Sequence, residues 1–168
     1  SISEWVASKN RDCNVYFTLN EAAKKPDRKP RSEDITSIYG VGFDCDPIPG
    51  QPLEAEKARY WRLATDLLAT AKFPPTFVIF TGNGIQGVFL FKAPLRRFDA
   101  EQIRSIGQRL QSFPGADSTA NLDRLYRLPG SINLPSKTKC DRGCVRTRTA
   151  LLLPGKGRGI RKYSLEDF

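Results

Sequence analysis

The order of apolar and polar residues divides the chain into short strands and two longer amphipathic helices. β-Branched and aromatic residues bounded by turn residues predict strands at 14–19, 37–46, 76–80, 87–92 and 145–153. Apolar side chains at helical spacing predict helices over 54–72, with Trp61, Ala64, Leu68 and Ala71 on one face, and over 99–113, with Ile103, Ile106 and Leu110. A short helix is predicted within 3–8 and one helical turn at 32–34. Strands mixed with helices in this way predict a two-layer α+β fold.

Two acidic residues, Asp44 and Asp46, end the strand that begins at Ser37. Side chains alternate along a strand, so both carboxylates point to one face and Cys45 to the other. Neighbouring carboxylates repel unless a cation lies between them, and their hard oxygens suit Mg²⁺ or Mn²⁺. The alternative is an exposed loop that carries two solvated acids.

A glycine-rich turn joins the next two predicted strands in the segment Thr81-Gly-Asn-Gly-Ile-Gln86. Backbone N–H groups in such a turn can hold phosphate oxygens, and Thr81, Asn83 and Gln86 add neutral donors. The alternative is an ordinary Asn-Gly hairpin.

Acids and arginines come together in a third segment, which runs from Gly115-Ala-Asp117 to Asp123-Arg-Leu-Tyr-Arg127-Leu-Pro-Gly-Ser-Ile-Asn133. The planar guanidinium of arginine matches phosphate oxygens in two-point contacts. The alternative is a salt-bridged turn in which Asp123 pairs with Arg124 or Arg127.

Charge and composition narrow the possible functions. The net charge of +9 is uneven, since residues 124–168 carry 11 basic and 3 acidic side chains. This asymmetry favours a nucleic acid partner. The chain has no histidine, which excludes a histidine-based triad or zinc site within these residues. No apolar run approaches the roughly 20 residues of a membrane span, and no signal peptide is visible, so we expect a protein without a membrane partner.

The three segments resemble, in order, the motifs of the archaeo-eukaryotic primase superfamily, in particular its primase-polymerases of plasmids, phages and mobile elements. The matching segments are GFDCDP (42–47), TGNGIQGVFLF (81–91) and DRLYRLPGSIN (123–133), and NVYFTLN (14–20) and RKYSL (161–165) resemble flanking segments. The resemblance implies one catalytic domain over 1–168, belonging to a longer protein, with an RRM-like antiparallel sheet backed by helices.

The resemblance also implies an activity: DNA primase or polymerase chemistry that makes or extends primers on single-stranded DNA from nucleoside triphosphates, with two Mg²⁺ or Mn²⁺ ions. Asp44, Asp46 and Asp117 would hold the metals, with Asp123 as the competitor for the third position. Gln86 replaces a histidine that is common in the family, and Pro135 stands where many members have a lysine. The residues expected to bind nucleotide are Thr81, Asn83, Gln86, Arg127 and Asn133.

The template is expected to contact a basic surface in the last quarter of the chain. The residues expected there are Lys137, Lys139, Arg142, Arg146 and Arg148. The implied setting is a prokaryotic cytoplasm with plasmid, phage or mobile element, and a helicase or other replication protein is an expected partner. Two alternatives stay open: a metal-dependent nuclease with the same acids, and a non-catalytic module that binds single-stranded DNA.

Overall fold

A five-stranded antiparallel sheet forms the centre of the computed structural model, which describes residues 1–23, 28–96, 100–110, 121–154 and 159–168. The strands are β1 (Tyr16–Thr18), β2 (Glu21–Ala22), β3 (Ile35–Cys45), β4 (Phe77–Phe80), β5 (Ile85–Arg96), β6 (Leu125–Arg127), β7 (Ile132–Asn133), β8 (Thr147–Arg148) and β9 (Ala150–Leu152). The helices are α1 (Ile2–Lys9), α2 (Leu53–Thr70), α3 (Ala100–Leu110) and α4 (Lys137–Asp141), and 3-10 turns lie at Ser32–Asp34 and Leu165–Asp167. The central sheet has the order β2-β3-β5-β4-β9, while β1 pairs with β6 and β7 pairs with β8.

The two faces of the central sheet are covered by different elements. On one face, α2 and α3 pack over a core that includes Phe43, Phe89 and Ile103, each at most 1% exposed. On the other face, Ile79 and Val88 contact the β1–β6 ribbon in a smaller apolar cluster. The antiparallel sheet backed by helices confirms the predicted α+β fold.

The long β3–β5 pair is the backbone of the domain, because it brings the acidic strand end beside the glycine turn. Cross-strand partners include Phe43 with Gly87 and Asp44 with Gln86. The absence of a side chain at Gly87 is required by this pairing, since a Cβ there would lie 2.2 Å from the buried Phe43 ring. The C-terminal segment is tied to the same strand through Tyr163, which exchanges backbone hydrogen bonds with Leu90 and Lys92 at 2.8 Å each.

Several predicted elements need correction. The buried stripe of α2 runs through Tyr60, Ala64 and Leu67, whereas Trp61 is 45% exposed and its ring packs perpendicular to that of Phe80. The helix also ends at Thr70 rather than at residue 72. The sequence pattern did not predict α4.

The predicted strand over 145–153 is interrupted at Thr149, which divides it into β8 and β9. Thr149 is buried and bonds with the turn before β7: its N–H donates to Ser131 O at 2.9 Å, and its hydroxyl donates to Leu128 O at 2.8 Å. The two halves therefore join different sheets, β8 with β7 and β9 with β4.

None of the described helices combines the length and apolar character needed to span a bilayer.

Replacing Gly87 by alanine tests the close contact between β3 and β5. We expect Gly87→Ala to lower the free energy of unfolding by about 1–3 kcal/mol, because the new methyl group displaces a buried aromatic ring. Chemical denaturation measures this. Gly159→Ala is the control, since a Cβ there would meet nothing within 4 Å. Equal stability of the two variants would contradict this packing of Phe43 on Gly87.

Candidate active site

The end of β3 and the β4–β5 turn form one side of a small polar pocket. Its volume is about 120 Å³. The lining residues are Tyr16, Asp44, Asp46, Thr81, Asn83, Gln86, Leu125, Arg127, Asn133, Lys139 and Cys144. All three segments singled out in the sequence therefore contribute to one cavity, and Cys45 is buried on the opposite face as the alternation predicted.

The chain just after β3 is fixed by two side chains of α2. The Tyr60 hydroxyl donates a hydrogen bond to the backbone carbonyl of Asp46, and Glu56 accepts one from the N–H of Ile48 at 2.8 Å. Glu56 is held in turn by Arg59, which donates two hydrogen bonds of 2.9 and 2.8 Å. These contacts define the position of Asp46 relative to the helix.

Burial and hydrogen bonding shift the pKa values of Tyr60 and Glu56. Burial raises the pKa of Tyr60 to about 12, so its hydroxyl remains a donor at neutral pH. The hydrogen bonds from Arg59 lower the pKa of Glu56, with a further contribution from the N–H of Ile48. Glu56 therefore stays ionised, as an acceptor for both donors.

Each of the two pocket acids lies against a basic side chain. Arg124 Nη1 is 3.3 Å from Asp44 Oδ2, and Lys139 Nζ is 3.2 Å from Asp46 Oδ2. The first pair is the more buried, since the Arg124 side chain is 13% exposed while that of Lys139 is 47% exposed. The negative charge predicted at the end of β3 is thus balanced by cations of the protein itself.

Gln86 links Asp44 to the third segment. Its Nε2 donates to Asp44 Oδ2 at 3.2 Å, and its Oε1 accepts from the N–H of Arg127 at 2.9 Å. The side chain is 4% exposed. A neutral amide can make both contacts at once, which ties β5 to β6 at the acidic centre.

Arg127 also lines the pocket, packed against β1. Its guanidinium donates to Asn14 Oδ1 and lies 4.7 Å from the centre of the Tyr16 ring. Burial lowers the pKa of Arg127, and attraction to Tyr16, Asp44 and Asp46 partly opposes this. Arginine is still protonated at neutral pH, so it brings a positive charge to the pocket.

The glycine turn uses part of its hydrogen-bonding capacity within the chain. Gly84 N–H donates to Thr81 Oγ1 at 3.0 Å, and the Asn83 amide exchanges two 3.2 Å hydrogen bonds with the backbone of Val145. Gly82 has φ +86°, the left-handed conformation that favours glycine. The side chains of Thr81 and Asn83 therefore also fix the shape of the turn.

Asn133 lines the pocket and carries a buried acceptor that is unsatisfied within the described residues. Its Nδ2 donates to Thr81 O at 2.8 Å, which orients the amide. Its Oδ1 is buried and has no hydrogen-bond donor among the described residues.

The two candidates for the third carboxylate differ in position. Asp117 lies outside the described residues, and its role stays a prediction. Asp123 does not line the pocket: it pairs with Lys29 Nζ at 3.0 Å and accepts from the Ser32 hydroxyl at 3.1 Å. Within the described ranges, no group of three His, Cys, Asp or Glu side chains is placed to hold a metal. Asp44 and Asp46 supply two of the expected ligands.

The five basic residues assigned to the template are all exposed but lie in different places. Lys139 belongs to α4 and reaches the acids, whereas Arg146 and Arg148 line a separate groove beside α1. Sequence reasoning did not identify Tyr16, Arg124 or Cys144 as site residues. The only signal for Tyr16 was the NVYFTLN segment, and α4, which positions Lys139, is too short to give a periodic pattern.

The donor set suits a divalent cation. Two carboxylates on one face of a strand end are ligands of the kind that Mg²⁺ and Mn²⁺ prefer. The nearby Lys139 is an exposed and flexible cation, able to leave Asp46 when another positive charge takes its place.

Comparison with known proteins finds similarity in the fold. A search with protein-family models gives no match, and neither does a search of curated proteins. A solved structure matches at a TM-score of 0.58 and 17% sequence identity, covering 97% of this chain and 72% of that one: the AEP domain of the primase-polymerase of cyanophage S-2L. The chain therefore shares the overall fold of that domain, in agreement with the α+β core that the sequence motifs implied.

Proposed function

We propose that the chain carries out template-dependent nucleotidyl transfer, as a DNA primase or polymerase that makes or extends primers on single-stranded DNA. The observation that carries this proposal is the pocket that Asp44, Asp46 and Arg127 line together on a primase-like core. Acids for divalent metals and a guanidinium for phosphate are the groups this reaction requires.

In the proposed reaction, the 3′-hydroxyl oxygen of the primer bonds to the α-phosphorus of a nucleoside triphosphate. The bond from that phosphorus to the oxygen bridging to the β-phosphate breaks, pyrophosphate leaves, and the hydroxyl proton passes to solvent. Asp44, Asp46 and Asp117 would hold Mg²⁺ or Mn²⁺ here. Bound divalent ions would lower the pKa of the hydroxyl and neutralise charge on the leaving group.

The other pocket residues then have separate tasks. Arg127 contacts the triphosphate through charge-assisted hydrogen bonds, and Lys139 exchanges Asp46 for a phosphate oxygen. Gln86 keeps Asp44 oriented, with Thr81 and Asn83 shaping the turn below the nucleotide. Asn133 belongs to the same nucleotide pocket, with its amide oriented by the hydrogen bond to Thr81 O.

Several finer features belong to the same proposal. The substrates are nucleoside triphosphates and a single-stranded DNA template, and the setting is a plasmid, phage or mobile element in a prokaryotic cytoplasm. A helicase or another replication protein is the proposed partner. The work of the protein is positioning and charge stabilisation rather than acid–base chemistry.

The first test replaces the acids by isosteric amides. Asp44→Asn and Asp46→Asn should each abolish primer extension with Mg²⁺ or Mn²⁺, because an amide is a poor ligand for these ions. Asparagine keeps an oxygen acceptor opposite the largely buried Arg124. Extension is measured on a primed single-stranded template with labelled primer. Asp66→Asn, at an exposed position of α2, is the control and should extend normally.

The same assay separates the alternatives. Template cleavage without nucleotide, lost in the asparagine variants, would identify a nuclease. Strand binding without cleavage or extension, unchanged in those variants, would identify a non-catalytic module. Normal extension by Asp46→Asn would show that the acids do not have the proposed role.

Arg127 provides a second test. Arg127→Ala should raise the KM for nucleotide and reduce kcat/KM by roughly 10- to 100-fold, since a charged hydrogen bond is worth about 1.5–3 kcal/mol. Steady-state kinetics at saturating primer–template measure both constants. Arg62→Ala, at an exposed position of α2, is the control. Unchanged nucleotide kinetics in Arg127→Ala would place the triphosphate elsewhere.

The anchor of Asp46 gives a third test with a matched control. Tyr60→Phe keeps the buried ring but removes the donor to Asp46 O, and we expect it to raise the metal concentration needed for half-maximal extension. Tyr163→Phe removes an equivalent hydroxyl, which donates to Pro74 O far along the chain from the acids. Both rings are wholly buried, so each variant should lose about 1–3 kcal/mol of stability. An identical metal requirement in the two variants would reduce Tyr60 to a purely stabilising role.

A further inference from the structure

A groove separate from the acidic pocket lies between α1 and the segment 128–132. Its volume is about 850 Å³, several times that of the pocket. Val6 and Ala7 of α1 line one side and Leu128 lines the other, so the floor is apolar. A cavity of this size with an apolar floor is typical of a binding site rather than of a packing gap.

Three arginines surround this apolar floor. Arg11, Arg146 and Arg148 line the groove, all are exposed, and none of the described lining residues is acidic. Arg148 makes one weak hydrogen bond, to Gly130 O at 3.3 Å, while Arg11 and Arg146 form no side-chain hydrogen bond or ion pair within the described part of the chain. Exposed cations without an acidic partner among the described residues are available for a polyanion.

The groove and the acidic pocket are separate, but one segment of the chain lines both. Along the third segment, Arg127 and Asn133 face the pocket, whereas the intervening residues 128–132 face the groove. A polymer bound at the acids would therefore have the groove as a neighbouring surface, across the segment 128–132.

We propose that this groove binds single-stranded nucleic acid, with phosphates on the arginines and bases or sugars against the apolar floor. Such a combination of cations and apolar surface suits an unpaired strand, whose bases are accessible, better than a duplex. Phosphate contacts hold the strand without reading its sequence. The role of the groove as a template track rests on the proposed nucleotidyl transfer, whereas strand binding itself does not.

The experiment measures binding of a fluorescent oligo-dT across a range of salt concentrations, without nucleotide or divalent metal. Arg11→Gln with Arg146→Gln should reduce the magnitude of the log–log salt slope by about 1.4, at about 0.7 for each phosphate that the protein no longer neutralises. The control is Arg62→Gln with Arg104→Gln, which removes the same charge from exposed positions of α2 and α3. Equal slopes in the two double variants would overturn the proposal.

A second pair of variants tests the floor. Ala7→Glu places an acid in the groove and should weaken oligo-dT binding by at least about tenfold, because like charges brought together cost more than the 1.4 kcal/mol of a tenfold change. Ser8→Glu adds the same charge at the next position of α1, which does not line the groove, and should change affinity little. Equal effects of the two variants would contradict a strand seated on the floor.

The outcomes are independent of those that test the catalytic proposal. Asp46→Asn should bind oligo-dT as the unmodified protein does, so loss of extension with retained binding leaves the groove in place. If extension is normal and the groove variants do not change the salt slope, the proposed activity is retained and strand binding in the groove is contradicted. Sedimentation could instead show a dimer that Ala7→Glu dissociates while the affinity for oligo-dT is unchanged. This result would assign the groove to a second copy of the chain and overturn the proposal.

Discussion

The rest of the site depends on one constraint, the repulsion between two carboxylates at the end of β3. Asp44 and Asp46 share a face, and their mutual repulsion has to be balanced by positive charge or hydrogen-bond donors. In this structure Arg124 and Lys139 supply the charge and Gln86 supplies a donor. The elements that carry these groups are thereby drawn to the same end of the sheet.

The two cations differ in how firmly they are held. Arg124 is largely buried and functions as a fixed counter-charge, since removing a buried ion from its partner is costly. Lys139 is half exposed on a short surface helix, where an ion pair contributes little stability. The charge of Asp44 is therefore neutralised by Arg124 at all times. At Asp46, by contrast, a positively charged ligand can replace Lys139.

The sequence predicts this centre only in part. Strand alternation places Asp44 and Asp46 on one face with Cys45 opposite, and the glycine turn is evident from its composition, because both are local patterns. The partners of the acids are not local: Arg124 is 80 residues from Asp44, and Lys139 is 93 residues from Asp46. No periodicity encodes such pairs, since they depend on how β6 and α4 meet the sheet. The break at Thr149 is hidden for a related reason, because its cause is a set of hydrogen bonds to residues 128–131 rather than a change in the alternating pattern.

Because the predicted strand is interrupted at Thr149, a short stretch of chain directly connects two sheets. Arg148 stands at the wall of the arginine-lined groove, and two residues later Ala150 pairs with Phe80, directly before the turn beneath the acids. Thr149, between them, is held by buried hydrogen bonds, so the connection between the two sheets is short and fixed. Residues 148–150 thus couple the position of the groove wall to that of the edge strand of the central sheet, with no loop between them.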